Sequence, residues 1–499
     1  MMSHFDLALF GPPGTGKTTT CLNMVNEELQ KGVDPDRIGF FSFTKKAANE
    51  GRDRACSRFN FDTTELPYFS TIHSMAYRRM GVSTSQVVDS KKLRAFGDWV
   101  GLDFTDQYTD NPDGVHMGDT IGDKCKAVDE LARAMLLPHH EIVDKFGFDL
   151  PAEPLDRFVR GYAQWKKKND YVDFADMLEK FDEGPSLDLL IIDEAQDMSA
   201  LQWSVARKLA SNAVYSVVAG DDDQAIYSFS GGTPVPLMEC KNKRILSQSY
   251  RLPREVWQNC NDLAQRIEGR VDKDWNPRDE QGSVKYATSA EQLPLSEGNW
   301  LLLARNRYLL KEYISELKQA GIPFINGKQN SISQKHYTSI IAWQGLLKGR
   351  SVSMDGALAV YDQLVVGKGF ERGHKSKLVE ADFASINLSQ LREHFGLLAH
   401  DAPWFDVLSR IGEKDASFIR RCLKRGESIS CPRVTVSTIH GVKGGECDNV
   451  AVLPDMAWRT FDEYERNPND ERRCQYVARS RAKQRLFLLD AVSEQCFNE

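Results

Sequence analysis

At 499 residues the chain is too long for one hydrophobic core, and its 41% hydrophobic and 27% charged content is ordinary for a globular protein of several domains. Its 64 Lys and Arg against 71 Asp and Glu give a net charge of −7, which excludes a protein that coats nucleic acid by bulk charge. No apolar run approaches the length of a membrane helix and no basic-then-apolar signal opens the chain, so a cytoplasmic protein with no membrane partner is expected.

The first predicted strand is Leu7-Ala8-Leu9-Phe10. It runs into GPPGTGKT, Gly11 to Thr18, after which Thr19 to Gln30 continue as a helix. Strand, G-x-x-x-x-G-K-T and helix together make a P-loop. Its glycines let backbone N–H groups curl around phosphates, Lys17 reaches the terminal phosphates, and the Thr18 hydroxyl can hold Mg²⁺. Gly11, Pro12, Pro13, Gly14, Thr15, Gly16, Lys17, Thr18 and Thr19 are therefore the candidate nucleotide contacts.

Arg37 to Phe43 reads as a buried strand, Thr44 to Arg54 as a helix, and Tyr68 to Thr71 as a short strand leading to a helix near His73. From about Gly81 to Tyr171 strand character vanishes, and helices over Asp123 to Leu137 and Leu155 to Lys168 suggest a helical insertion. Lys166-Lys167-Lys168 reads as a solvated helix face. Strands return at Leu187 to Glu194 and Ala213 to Ala219, which fits a doubly wound α/β core.

A second set follows, with strands at Trp300 to Ala304, Ile322 to Ile325, Val434 to Thr438, Asn449 to Leu453 and Leu486 to Leu489, and helices over Tyr308 to Ala320 and Glu471 to Arg481. The expected division is a first α/β core over 1–85 and 172–248 with a helical insertion at 86–171. A second core covers 249–328 and 431–499, with a reduced helical insertion at 329–430. Ten cysteines are scattered without a C-x-x-C pair, so they are read as reduced thiols, neither a zinc site nor a disulfide framework.

Two strand ends carry further chemistry. Asp193 and Glu194 close the run LDLLIIDE, where Asp193 can complete an Mg²⁺ shell and Glu194 can orient or deprotonate a water attacking a γ-phosphate. Gln224, in GDDDQ, can bond a γ-phosphate and lose that bond on hydrolysis. Tyr227 and Phe229 lie just beyond, either as core plugs or as stacking platforms for unpaired bases.

The ordered set GPPGTGKT, FSFTKKAANEGRDR, FSTIHSMAYRRM, YVDFADML, IIDEAQD, GDDDQAIYSFSGG, SQSYRLP, VSTIHGVKGGE and ERRCQYVARSRAKQRLFLL resembles the motif set of the UvrD/Rep-like DNA helicases of superfamily 1, from Gly11 to Leu489. The resemblance implies two RecA-like P-loop cores closing on ATP and Mg²⁺, each with a mainly helical insertion. It also implies ATP-driven translocation on single-stranded DNA, typically 3′ to 5′, action at single-strand/duplex junctions, and a replication or repair protein as partner. By the same resemblance Tyr250 stacks on adenine, Arg251 and Arg481 meet the γ-phosphate from the second core, and Glu446 lies near the nucleotide. Phe43, Thr44, His73, Phe229, Thr438 and His440 fall at DNA-contact positions. A DNA-stimulated ATPase switch without robust unwinding and an RNA-directed motor are the alternative readings.

Several positions depart from the family pattern. Only ten residues precede Gly11, where the family carries an adenine-reading glutamine. Phe229 and Ser230 replace the usual tryptophan and arginine, and Thr19 replaces an arginine.

Overall fold

The computed structural model of the chain describes residues 5–105, 118, 120–289, 292–381 and 383–499. Six strands form the first sheet: β1 (Leu7–Phe10), β2 (Ile38–Ser42), β3 (Phe69–Thr71), β4 (Leu187–Asp193), β5 (Ala213–Gly220) and β6 (Lys243–Ile245). Their order is β3-β2-β4-β5-β1-β6, and every pairing is parallel. Strands buried on both faces read as unbroken apolar runs, and every residue of β1 and β2 is buried.

The second sheet holds β7 (Ser283–Ala287), β8 (Trp300–Ala304), β9 (Phe324–Asn326), β10 (Gln329–Asn330), β11 (Val434–Thr438), β12 (Cys447–Val452) and β13 (Ala482–Leu489). Its order is β10-β9-β11-β8-β12-β13-β7, parallel except for the β9-β10 hairpin. The strands absent from the sequence expectation, β6, β7 and β10, lie at or beside sheet edges and are largely solvent-facing, so they lack the apolar run that marks a central strand.

Register decides what the sheets present. Phe10 pairs with Gly220 and Ser42 with Asp193, so the P-loop, the segment after Asp193, the Gly220–Gln224 turn and Phe43 leave the first sheet along one carboxyl edge. Cys447 pairs with Ala482, which sets Glu446 beside Arg481 at the start of two neighbouring strands of the second sheet.

The two helical regions are built differently. Helices Ser90–Val100, Ile121–Met135, His139–Phe146 and Ala152–Asn169 enclose their own aromatic core, with Phe96 in contact with Phe158, Tyr162 and Trp165. By contrast the helices between Gln334 and Lys424 share one continuous core with a face of the second sheet: Trp343, Tyr361 and Trp404 belong to the same cluster as Trp300, Leu302 and Val436.

Two local expectations are corrected. Helix Asn469–Arg479 ends before Arg481, which sits in the turn preceding β13. Lys166 is buried rather than solvated, because Asp173 and Asp176 accept from its Nζ at 2.7 and 2.6 Å, while Lys167 and Lys168 stay exposed. Asp173 and Asp176 also pair with Arg133, at 2.9 and 2.6 Å, and this cluster joins the first insertion to helix Phe174–Glu179. Removing one member of a buried charge cluster strands the others. Arg133→Met is therefore expected to lower stability by about 3–5 kcal/mol in urea unfolding; a loss under about 1 kcal/mol would show that water replaces the guanidinium.

Candidate nucleotide site and aromatic track

Gly14 and Gly16 hold φ of 74° and 79°, a left-handed backbone that glycine adopts without strain. At Gly14 space is also limiting, since an added Cβ would lie 2.3 Å from Arg251 Cβ. The loop is thus seated on a segment outside its own sheet. Tyr250 N–H donates to Gly14 O at 2.9 Å, and Ser249 Oγ donates to Pro13 O at 2.8 Å. Lys17 Nζ is folded back on Gly11 O at 2.6 Å, Thr15 Oγ1 closes the loop on Pro12 O, and Thr19 is exposed.

Behind the loop, Thr18 Oγ1 donates to Asp193 Oδ2 at 2.9 Å. Glu194 follows with φ 56°, an uncommon conformation for a residue with a Cβ and one that costs about 1–2 kcal/mol. The kink turns the carboxylate away from the strand direction, and Gln196 Nε2 donates to its Oε2 at 2.6 Å. Burial pushes both carboxyls up. For Asp193 the neighbouring Glu194 charge adds to this and the group rises to about 6. For Glu194 burial is outweighed by Lys17, Lys443 and Arg481, and the carboxyl is held below its usual value.

The second core meets this site with two arginines. Arg251 Nε donates to Glu446 Oε2 at 2.7 Å, and Lys483 Nζ stands 3.5 Å from Glu446 Oε1. Arg481 is buried, with Nε on Val477 O, Nη1 on Gly445 O and Nη2 on Gln224 Oε1 at 2.8 Å. Burial and the Arg251 charge push its guanidinium down to about 9, which leaves it charged at neutral pH. Tyr250 presents its ring to solvent at 74% exposure.

Three residues past Gln224 an aromatic row begins. The ring centroids of Phe43 and Tyr227 are 5.3 Å apart, those of Tyr227 and Phe229 5.8 Å, and those of Phe229 and His440 5.3 Å. Tyr227 and Phe229 are partly buried, and Tyr227 also packs against the apolar cluster that holds Ile226, Leu252 and Ile439. The row draws on both cores. His440, however, is buried, its Nε2 3.2 Å from Ile226 O, and burial holds its imidazole well below the usual value, hence neutral. Thr438 is also buried, its Oγ1 accepting from Gly441 N–H. His440 braces the turn that carries Tyr227, Thr438 closes its own turn on Gly441, and neither faces solvent in this conformation.

His73 and Thr44 stand apart from the row. His73, held down to about 4 by burial and Lys45, meets the edge of Phe174 at 6.1 Å, and Phe174 is 61% exposed. Thr44 is exposed and caps helix Lys45–Phe59 by accepting from Ala47 N–H at 3.1 Å.

Sequence reasoning gave no role to Lys443, Gln196 or Phe174, although each lies inside a quoted motif. Lys443 Nζ donates to Asp197 and, at 2.6 Å, to Gln224 O, while standing 5.0 Å over the Tyr227 ring. Gln196 joins Glu194 to Asp221 N–H, its Oε1 accepting at 3.1 Å. Among the described residues no group of three or more His, Cys, Asp or Glu could hold a metal ion, and no helix is long and apolar enough to cross a membrane. All ten cysteines are free.

Residues 4–244 match the family model of the UvrD/REP helicase N-terminal domain, and residues 414–493 that of the UvrD-like helicase C-terminal domain. The chain is 24% identical over 293 residues to the ATP-dependent DNA helicase PcrA of Staphylococcus aureus, covering 54% of this chain and 39% of that protein. It is 22% identical over 380 residues to the putative ATP-dependent DNA helicase YjcD of Bacillus subtilis, covering 68% and 49%. A probable DNA helicase II homolog of Mycoplasma capricolum is 25% identical over 363 residues, covering 62% and 48%. The chain thus spans less than half the length of these curated relatives. With the P-loop, the two arginines of the second core and the aromatic row in the motif order of that family, the chain belongs to the UvrD/Rep-like helicases.

Proposed function

We propose that the protein is an ATP-dependent DNA helicase and translocase that moves 3′ to 5′ on single-stranded DNA and acts at junctions with duplex. The observation that carries this reading is the stretch from Gln224 to Phe229, which bonds Arg481 of the second core at one end and enters the aromatic row at the other.

The nucleotide would bind between the cores. The P-loop N–H groups and Lys17 take the phosphates, and Lys17 exchanges its bond to Gly11 O for a phosphate oxygen. The exposed Tyr250 ring offers a face for adenine, and Glu446 holds Arg251 near the loop. Thr18 Oγ1 and Asp193 Oδ2 are hard oxygen donors close enough to share a cation, so they fit Mg²⁺, which supplies neutralisation of the terminal phosphates. Glu194, kept ionised by Lys17, Lys443 and Arg481, is the group to orient and deprotonate the attacking water. Arg251 and Arg481 meet the charge that develops on the transferred phosphoryl, a contribution of roughly 10³–10⁵ in rate.

On the DNA side Tyr227 and Phe229 offer π-faces that accept any base. Phe43 supports Tyr227, and the exposed Phe174 beside His73 extends the stacking surface on the first core. Thr44, exposed at a helix N-terminus, suits a backbone phosphate. Because these groups are few and local, binding does not need a basic protein.

Partial duplexes with a 3′ or a 5′ single-stranded tail, offered with ATP, test the reading: the 3′-tailed substrate is expected to separate. Separation of only the 5′-tailed one would reverse the polarity, and ATP hydrolysis with neither separated would favour a nucleotide-gated switch. Glu194→Gln should lower kcat by about 10²–10⁴ with ATP affinity retained, whereas Lys17→Ala should lose both; equal loss of ATP binding in the two would remove the assigned role of Glu194. Phe229→Ala should weaken single-stranded DNA binding by about 1–3 kcal/mol, read by fluorescence anisotropy, and an unchanged affinity would place the strand elsewhere.

A further inference from the structure

Gln224 is held from two sides. Arg481 Nη2 donates to its Oε1 at 2.8 Å, and its Nε2 donates to Asp221 Oδ2 at 2.7 Å. A guanidinium can only donate and a carboxylate can only accept, so these neighbours fix which way the amide points. One N–H of Nε2 is left for another acceptor. The orientation depends on Asp221 being ionised and fixed, although it is buried among Asp222 and Asp223.

Three adjacent buried aspartates repel one another unless a cation compensates. Lys273 supplies it. Its Nζ lies 2.7 Å from Asp222 Oδ1, 2.8 Å from Asp223 Oδ2 and 3.4 Å from Asp221 Oδ1, with its side chain wholly buried. Arg270 adds a bidentate grip on Asp223 at 2.9 and 2.7 Å, and Val271 N–H donates to Asp222 Oδ2 at 2.8 Å. Arg270, Val271 and Lys273 lie in the segment between helix Arg254–Ala264 and β7, beyond the last strand of the first sheet. Arg473, from helix Asn469–Arg479, also reaches the loop by donating to Asp222 O at 3.0 Å.

We infer that Lys273 is a positioning residue, which through Asp221 holds the Gln224 side chain in the orientation that meets Arg481 and leaves a donor for the terminal phosphate. The inference rests on the proposed ATPase reading and adds a residue to it. Lys273 is wholly buried beside the three aspartates, so it acts through them. Its part is to keep Asp221 charged and in place, so that the amide cannot turn over and present its N–H₂ group to Arg481.

A double-mutant cycle on the full chain tests this. Lys273→Met should lower DNA-stimulated kcat at least tenfold while KM for ATP changes less than threefold, and Lys273→Arg should restore part of the loss. In the Gln224→Ala background the same Lys273→Met change should alter kcat less than twofold, because the side chain it positions is gone. Equal fold losses in the two backgrounds, or an unchanged kcat in the single variant, overturn the inference. If Lys273→Met does not fold, Lys273→Gln, which keeps a polar group among the aspartates, carries the same comparison in the two backgrounds. Absence of DNA-stimulated hydrolysis in the unmodified chain overturns the ATPase reading and this inference together; hydrolysis with independent effects overturns the inference alone.

Discussion

The structure turns on a charge buried where the two cores meet. Arg481 has almost no contact with water, and removing a guanidinium from water is costly unless every N–H finds an acceptor. Three acceptors come from its own core, the carbonyls of Val477 and Gly445 and the Ser480 hydroxyl, and one comes from across the boundary, Gln224 Oε1. The cores therefore cannot part without leaving Gln224 Oε1 unpaired or hydrated. The boundary is sensitive to whatever else competes for Gln224.

The same loop explains how one event can be felt at two places. Gln224 and Tyr227 are three residues apart, within about 10 Å along an extended chain, and no side-chain relay is needed between them. Lys443 adds a second link of similar length, donating to Asp197 and to the Gln224 carbonyl while covering the Tyr227 ring. Under the proposed function, a change of one hydrogen bond at the phosphate end displaces aromatic rings at the other. The charge partners of Glu194, namely Lys17 from the P-loop and Lys443 and Arg481 from the second core, make its electrostatic environment a measure of closure.

Central strands were legible because burial on both faces leaves no room for polar residues: Trp300–Ala304 and Val434–Thr438 have the bounds expected of them. Edge strands such as Lys243–Ile245 carry a polar, exposed face and gave no such signal. The P-loop and Asp193-Glu194 could be read from spacing because their geometry is local. Burial of His440, the grip of Lys166 on two aspartates and the Lys273 cluster could not. Each depends on which distant residue arrives alongside, as with Lys273 and Asp223, fifty positions apart. Long-range pairing of charge leaves no periodic trace in a sequence.

The unequal construction of the two helical regions bears on what can move. The first owns its core and is tied to helix Phe174–Glu179 by the Arg133 cluster. Among the described residues the second shares its interior with the sheet. Trp343 and Tyr361 lie in one apolar mass with the sheet strands Trp300–Ala304 and Val434–Thr438, and prising the helices off would wet those rings. Under the proposed function, any movement of the second sheet carries these helices along as fixed cargo.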